Sequence, residues 1–168
     1  MFSILVCCCR SGAIGKNGNI IHNIKEDLQF FKNTTLNHTV IVGRKTYESI
    51  PNRLPERNVI VISSNQNYKC KIREDIIVAS SFEQAVEIAQ NEGEVFIIGG
   101  GFVYEQALKT NIVDKVYLTL VLDDCEGDSY FKNFVLDDWT VVNKEEFVTS
   151  KNLPYQRLTL LKKKLSVY

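Results

Sequence analysis

Apolar runs alternate along this chain with segments rich in glycine, asparagine and charge. Phe2–Cys9 is continuously apolar and rich in β-favouring residues, which is typical of a central strand buried on both faces. The stretch from Glu145 to Leu165 has two alternating segments around Asn152-Leu-Pro154, which predicts an antiparallel hairpin. Other apolar runs predict further strands at Thr39–Val42, Val59–Ile62, Ile76–Ala79, Glu94–Ile98 and Asp114–Val121.

Segments with helical spacing lie between these strands. Asn23-Ile-Lys-Glu26 has the character of a capping box and predicts a helix that continues to about Thr34. Arg10–Asn23 is rich in glycine and asparagine and predicts a long mobile loop, and such loops inside a compact domain usually carry function. Further helices are predicted at Lys45–Ser49, at Phe82–Gln90 with Ser81 as its cap, and at Phe102–Leu108.

This order of elements predicts an α/β fold. Strand–helix alternation followed by a closing hairpin indicates a doubly wound, mostly parallel central sheet with helices on both faces and an antiparallel C-terminal hairpin. At 168 residues the chain is expected to be a single domain spanning residues 1–168. Its formal net charge of zero produces no global field that attracts nucleic acid or an anionic membrane. Separately, no extended apolar patch is visible in the sequence, so we expect a monomer.

The cysteines point to a reducing compartment. Cys7, Cys8 and Cys9 are adjacent and cannot pair with one another, so we expect them to act as small buried hydrophobes. No C-x-x-C pair and no Cys/His ligand spacing is present, and no metal is expected. The apolar N-terminal run is short and lacks a basic leader, which favours a cytoplasmic protein.

Two turns have the chemistry of phosphate sites. Gly99-Gly100-Gly101 joins a predicted strand to a predicted helix, and Gly43-Arg44-Lys45-Thr46 does the same earlier in the chain. Free backbone N–H groups and the helix dipole favour an anion at such turns. Neither turn fits the Walker or the Rossmann pattern, so a nucleotide is expected to bind in a different geometry. For the second turn, the alternative is an exposed basic turn.

Other side chains are candidates on chemistry alone, each with a plainer alternative. Ser63 and Ser64 follow a strand and, with Arg44, can receive the extra ribose phosphate of NADP(H); serines there are also common turn formers. Asp27 shares a helix face with Leu28 and Phe31, where desolvation favours a carboxyl group that holds or shares a proton; an acid near a helix start also simply complements the dipole.

Three more candidates have weaker support. Arg57 follows Leu54-Pro55-Glu56 and can clamp a substrate carboxylate, although an exposed loop arginine is the commoner case. Phe102 or Tyr104 can stack on a flat ring, or can belong to the core. His22 and His38 are loop residues without a ligand partner nearby in sequence.

In their order, these residues resemble dihydrofolate reductase over nearly the whole chain. The matching motifs are Ile14-Gly15, Asp27-Leu-x-x-Phe31-Lys32, Val42-Gly-Arg-x-Thr-x-Glu-Ser-Ile50, Leu54-Pro-x-Arg57, Ile62-Ser-Ser64, Ile97-Ile-Gly-Gly-Gly-x-Val-Tyr-Glu105, Tyr117-Leu-Thr119 and Glu126-Gly-Asp128-x-x-Phe131. The resemblance implies NADPH-dependent reduction of 7,8-dihydrofolate to tetrahydrofolate, with hydride transfer to pterin C6 and protonation of N5. It also implies binding of antifolate inhibitors and a cis peptide at Gly99-Gly100.

The resemblance assigns expected roles to individual positions. Asp27, supported by Thr119, is expected to bind the pterin and favour N5 protonation, and Ile20 and His22 complete the catalytic set. Arg57 is expected to clamp the glutamate α-carboxylate. The other expected substrate contacts are Leu5, Val6, Leu28, Phe31, Ile50, Leu54, Ile98 and Tyr104. The expected cofactor contacts are Cys7, Ile14, Gly15, Gly43, Arg44, Lys45, Thr46, Ser63, Ser64, Gly99, Gly100, Gly101, Phe102, Val103 and Tyr104.

The chain departs from the family pattern at several positions. Ile21 and His22 stand where a proline and a tryptophan or leucine are usual, and Lys25 replaces a common proline. We hypothesise that His22 holds the water used for protonation and adds a pH dependence near neutrality. Phe102 replaces an arginine that often follows the three glycines, so preference for NADPH over NADH is expected to be weaker.

Two rival functions stay open from the sequence. The reductase of riboflavin biosynthesis has a related domain, but the Asp27 helix and the Leu54–Arg57 segment fit folate better. A nucleotide-binding module without catalysis is the other alternative. Asp27 argues against it, because pure binding does not need a buried carboxylate.

Overall fold

The structure is a computed structural model that describes residues 1–65, 67, 68 and 75–164. Its main sheet contains Phe2–Cys9 (β1), Thr39–Gly43 (β4), Asn58–Ile62 (β5), Ile77–Ala79 (β6), Val95–Ile97 (β7), Val113–Val121 (β8), Trp139–Val148 (β10) and Pro154–Lys162 (β11). A small second sheet is formed by Ala13–Lys16 (β2), Asn19–Ile20 (β3) and Ser129–Tyr130 (β9). The helices are Lys25–Thr35 (α1), Arg44–Ser49 (α2), Phe82–Ala89 (α3) and Gly101–Lys109 (α4), and Leu136–Asp138 forms a 3₁₀ turn.

The eight strands of the main sheet run in the order β10-β11-β8-β1-β7-β4-β5-β6. Neighbours from β8 to β6 pair in parallel, whereas β11 pairs with β8, and β10 with β11, in antiparallel orientation. The predicted fold class is confirmed: the sheet is mostly parallel and closes with an antiparallel C-terminal hairpin.

Alternate side chains of the buried β1 contribute to separate parts of the core. Ile4, Val6 and Cys8 pack in one cluster with α3 and α4, whose contributions include Ala85 and Ala107. Leu5, from the opposite face of β1, packs with Tyr47 of α2 and with Phe30 and Phe31 of α1. Because side chains alternate along a strand, this arrangement covers both faces of the sheet and explains the continuous apolar run.

The start of α1 differs from the prediction. The helix begins at Lys25, its N-cap is Ile24, and no side chain caps it, so the predicted capping box at Asn23 is wrong. The helix starts too late for Asn23 to stand directly before its first residue, which is where a capping side chain must lie. Glu26 and Asp27 occupy the first turn instead, where their charge complements the dipole.

The segment 10–23 is more regular than a mobile loop. β2 pairs with β3 and with β9 in antiparallel orientation, and Asn17 N–H donates to the Asp128 side chain at 2.8 Å. Strands as short as two residues leave no periodic pattern in a sequence, so they were not predicted. The C-terminal hairpin is also longer than predicted, because β10 begins at Trp139 rather than Glu145. Residue 165, the predicted end of that hairpin, lies outside the described residues.

Cys9 is not simply a buried hydrophobe. It forms a disulfide with Cys125, across a sequence separation of 116 residues. The bond joins the end of β1 to the loop between β8 and β9. Adjacent cysteines gave no hint of it, because the partner comes from a distant segment. Cys7 and Cys8 are free thiols, intermediate and buried respectively, as a packing role requires.

Gly127 lies where the loop before β9 crosses the second sheet. A Cβ there would collide with the backbone carbonyl oxygen of Gly15 and would also lie 3.1 Å from Ile21 Cδ1. Backbone cannot move aside cheaply at such a contact.

We therefore expect Gly127→Ala to lower the free energy of unfolding by about 1–3 kcal/mol, measured by urea denaturation, because the added methyl group overpacks the crossing. Gly93→Ala is the matched control, since a Cβ at Gly93 has no atom within 4 Å. The control is expected to stay within about 0.5 kcal/mol of the parent chain. Equal stability of the two variants would contradict the tight crossing.

Candidate active site

A cavity of about 500 Å³ opens at the carboxyl end of the central strands. Its walls come from β1, the 13–23 segment, α1, α2 and the turn after β7. The predicted site residues that line it are Leu5, Val6, Cys7, Ile14, Gly15, Ile20, His22, Asp27, Leu28, Phe31, Lys45, Thr46, Ile50, Ile98, Gly99, Gly100, Tyr104 and Thr119. The structure thus brings most of the predicted positions to one space.

Asp27 lies at one end of this cavity, in the first turn of α1. Thr119 on β8 donates a hydrogen bond from Oγ1 to Asp27 Oδ1 at 2.6 Å. Nη2 of Arg157 on β11 lies 3.4 Å from the same oxygen. The carboxylate is therefore fixed by two neighbouring strands as well as by its own helix.

Two thiols and a phenol near Asp27 are held neutral. Burial, followed by the nearby charge of Asp27, raises the pKa of the Cys7 thiol well above its usual range. Burial also raises the pKa of Cys8 to about 11 and that of Tyr104 still further. Tyr104 is 5 % exposed, and its hydroxyl donates to the Leu5 carbonyl at 2.7 Å, so most of this ring belongs to the core.

The glycine turn forms another part of the cavity wall. The peptide between Gly99 and Gly100 is cis, as predicted. A Cβ on Gly100 would lie 2.7 Å from Thr46 Oγ1, and one on Gly101 would lie 2.9 Å from Ser129 Oγ. The close approach of α2 therefore favours glycine at Gly100, and the close approach of β9 favours glycine at Gly101.

This part of the cavity fits a dinucleotide cofactor. No side chain caps α2 or α4, so backbone N–H groups of both first turns are available to an anion. Lys45 and Thr46 add a cation and a hydroxyl on the cavity wall. Gly43 donates from its N–H to the Gly99 carbonyl at 2.8 Å, which holds the two turns together.

Several predicted cofactor positions lie outside the cavity wall. Arg44 pairs with Glu48 at 3.0 Å, Ser64 is exposed, and Ser63 is buried and accepts from Asn65 N–H. Val103 is a core residue, and Phe102 is 70 % exposed on the first turn of α4, so Phe102 is not part of the core.

Arg57 is buried, so the alternative of an exposed loop arginine is wrong. Its Nε donates to Thr35 Oγ1 at 3.0 Å, and Nη1 and Nη2 donate to the carbonyls of Pro55 and Lys32 at 2.6 and 3.3 Å. Leu54, 4 % exposed, packs in the core beside it. Neither residue lines the cavity wall, and the guanidinium is held rigidly next to the end of α1.

His22 faces the loop after β8. Its Nε2 lies 2.9 Å from Asp123 Oδ2, and both side chains are mostly shielded from solvent. Asp123 also lies near the sulfurs of Cys9 and Cys125, a grouping with metal-ligand chemistry. Those sulfurs are bonded to each other, so this structure offers no thiolate pair there.

Sequence reasoning missed some residues of the site. Phe30, Ser49, Asp128 and Ser129 line the cavity, and Arg157 contacts Asp27 from behind it. Phe30 lies three residues after Asp27 on α1, so the helical spacing could have predicted it as a site residue. The position of Arg157 could not be predicted in this way, because it depends on the register of the closing hairpin.

Comparison with known proteins identifies the family. A family model described as dihydrofolate reductase matches residues 1–162. The chain belongs to the dihydrofolate reductase family. The dihydrofolate reductase of Staphylococcus haemolyticus is 36% identical over 153 residues, covering 91% of this chain and 89% of the relative. That of Buchnera aphidicola is 33% identical over 164 residues, covering 96% of this chain and 97% of the relative.

A solved dihydrofolate reductase has the same fold. The enzyme from Enterococcus faecalis, in complex with NADP(H) and RAB-propyl, superposes with a TM-score of 0.86 at 28% identity, covering 98% of this chain and 97% of that one. The predicted enzyme class is confirmed: the chain is a dihydrofolate reductase, an oxidoreductase that reduces dihydrofolate with NADPH as cofactor. In the described residues, no helix is long and apolar enough to cross a membrane.

Proposed function

We propose that Asp27 is the side chain that orients the pterin and promotes protonation of N5 during reduction of 7,8-dihydrofolate to tetrahydrofolate. The observation that carries this proposal is the 2.6 Å hydrogen bond from Thr119 to Asp27 Oδ1 at one end of the cavity. A carboxylate accepts hydrogen bonds only, so it suits a ring edge that presents an amino group and a ring N–H.

The chain's own contribution is orientation and exclusion of water. NADPH, when bound, supplies the hydride that is transferred to pterin C6. Leu5, Phe31 and Ile50 give the cavity apolar walls near Asp27, and a shielded site strengthens the hydrogen bonds that the carboxylate makes. Ile20, on β3, and His22 both line the cavity, and we propose that they limit access of solvent to the ring.

We propose that the cofactor phosphates bind at the glycine turn. Lys45, Thr46 and the uncapped starts of α2 and α4 supply the donors, and Arg44, Ser63 and Ser64 are the candidates for the ribose phosphate. Release of Arg44 from Glu48, an exposed i,i+4 pair of little energetic value, frees its guanidinium for that phosphate. The other predicted cofactor residues that line the cavity are Cys7, Ile14, Gly15, Gly99, Gly100 and Tyr104.

We further propose that the chain is one domain and acts as a monomer. The single continuous eight-stranded sheet supports one domain. The Cys9–Cys125 bond counts against a reducing compartment, because cytosolic disulfides are uncommon.

Asp27→Asn is expected to lower kcat for dihydrofolate at neutral pH by on the order of 100-fold or more, since a neutral amide cannot promote protonation of N5. NADPH affinity, measured by fluorescence titration, is expected to stay unchanged. Thr119→Val, which removes the hydrogen-bond donor to Asp27, is expected to lower kcat by about 10-fold. Thr140→Val on the exposed edge strand is the control. Full turnover by Asp27→Asn would refute the assignment.

We propose that Arg57 clamps the α-carboxylate of the substrate's glutamate. Arg57→Lys is therefore expected to raise KM for dihydrofolate by about 10-fold or more, because a lysine cannot give a bidentate contact to that carboxylate. Dihydropteroate, which lacks the glutamate, serves as the matched substrate. Its KM is expected to stay within about two-fold. Equal losses with the two substrates would show that Arg57 acts only through folding.

Phe102→Arg is expected to increase the ratio of kcat/KM for NADPH to that for NADH by about 10-fold, because it adds a donor near the ribose phosphate. The exposed position of Phe102 makes a folding cost small. Gln106→Arg, one turn further along α4, adds the same charge away from the turn. A ratio that changes equally in both variants would indicate a general charge effect.

A further inference from the structure

Arg157 lies against the carboxylate of Asp27, at a position that no motif of the sequence singled out. Its side chain is 10% exposed and that of Asp27 is 16% exposed, so the pair is largely shielded from water. Nη2 lies 3.4 Å from Asp27 Oδ1, the oxygen that also accepts the Thr119 hydrogen bond. A permanent cation therefore lies directly behind the group proposed to orient the pterin.

The strand register places Arg157 there. Cys7 of β1 is paired with Thr119 of β8, and Thr119 is paired with Arg157 of β11. The three side chains form a row across adjacent strands, and Asp27 of α1 lies over the row.

Two aromatic rings hold the guanidinium in this place. Its Cζ lies 3.9 Å from the ring centre of Phe30, one helical turn from Asp27, and 5.0 Å from that of Phe147 on β10. Arg157 Nε is buried without a hydrogen-bond partner in the described part of the chain. A buried cation with an unsatisfied hydrogen-bond donor adds little to the free energy of folding, since hydrophobic side chains of similar size usually stabilise a fold at least as much.

We propose that Arg157 is a positioning residue for the reaction: it acts through Asp27, holding the carboxylate fixed in orientation toward the pterin. This inference rests on the proposed role of Asp27. It assigns the closing hairpin a part in catalysis, although the hairpin does not line the cavity.

The other groups facing Asp27 do not supply such a charge. Cys7 and Tyr104 stay neutral because burial raises the pKa of each. Burial likewise raises the pKa of Tyr155, two residues before Arg157, and Glu26 adds only negative charge nearby. Among the residues that the structure describes, Arg157 is the cation that forms an ion pair with Asp27.

The sign of the effect follows from this arrangement. A neighbouring cation favours the ionised form of a carboxylate, and its removal makes protonation easier. Without Arg157, Asp27 is therefore expected to take up a proton at higher pH. A protonated Asp27 holds the pterin N–H groups less well, so the acid side of the kcat/KM profile moves to higher pH as well.

The test is a carboxyl ¹³C NMR titration of aspartate-labelled protein, with Asp27→Asn used to assign the resonance. In Arg157→Met the protonation midpoint of Asp27 is expected to lie at higher pH than in the parent chain. Arg157→Lys, which keeps the charge but stacks less well, is expected to stay near the parent value. Lys162→Met is the matched control, because Lys162 is also a cation on β11 lying over a ring, that of Trp139 at 4.9 Å.

A folded Arg157→Met with an unchanged midpoint overturns the proposal, as does an equal shift in Lys162→Met. If Arg157→Met does not fold, Arg157→Gln is titrated in its NADPH complex, where the bound cofactor stabilises the folded state. The titration needs no turnover. Absence of dihydrofolate reduction by the parent chain would thus defeat the proposed role of Asp27, while an unmoved midpoint in an active enzyme defeats only the role of Arg157.

Discussion

The register between β1, β8 and β11 is the constraint on which the candidate site depends. It sets Cys7, Thr119 and Arg157 side by side on one face of the sheet, under Asp27. Because side chains alternate along a strand, a slip of one residue would move a strand's members of this row to the other face. The buried packing on both faces of these strands prevents such a slip. The core therefore determines which side chains lie under Asp27 of α1.

The part of the cavity wall around the glycine turn is built at the carboxyl edge of the main sheet. β4 and β7 are adjacent and parallel, so their carboxyl ends deliver α2 and α4 to one place. Helix starts attract anions, and parallel strands that end together concentrate them. Gly100 then allows the two turns to approach more closely than a side chain would permit, because a Cβ there would lie 2.7 Å from Thr46 Oγ1. One edge of the sheet thus has both the Asp27 carboxylate and the candidate phosphate donors beside it.

Local patterns predicted the elements that depend on local chemistry. The buried strands, the glycine turn and the position of Asp27 follow from periodicity and turn composition, and the structure confirms their arrangement. The features that were missed depend on contacts between distant segments. β9, the Cys9–Cys125 bond and the placement of Arg157 each need a pairing over many residues, which no short window contains. The predicted start of α1 was wrong for another reason. Asn23 has the right chemistry for a cap but lies one position before the N-cap residue, Ile24.

Charge is distributed unevenly along the cavity, and this distribution fits its two expected occupants. Asp27 is paired with Arg157, and His22 lies against Asp123, so the acidic groups near the ring-binding end have partners. Lys45 and the uncapped helix starts give the other end a positive potential. Under the proposed assignment, the largely neutral ring lies where charges are balanced, and the polyanionic cofactor lies where they are not. On that assignment, the pairing of Asp27 is part of how one cavity separates its two ligands.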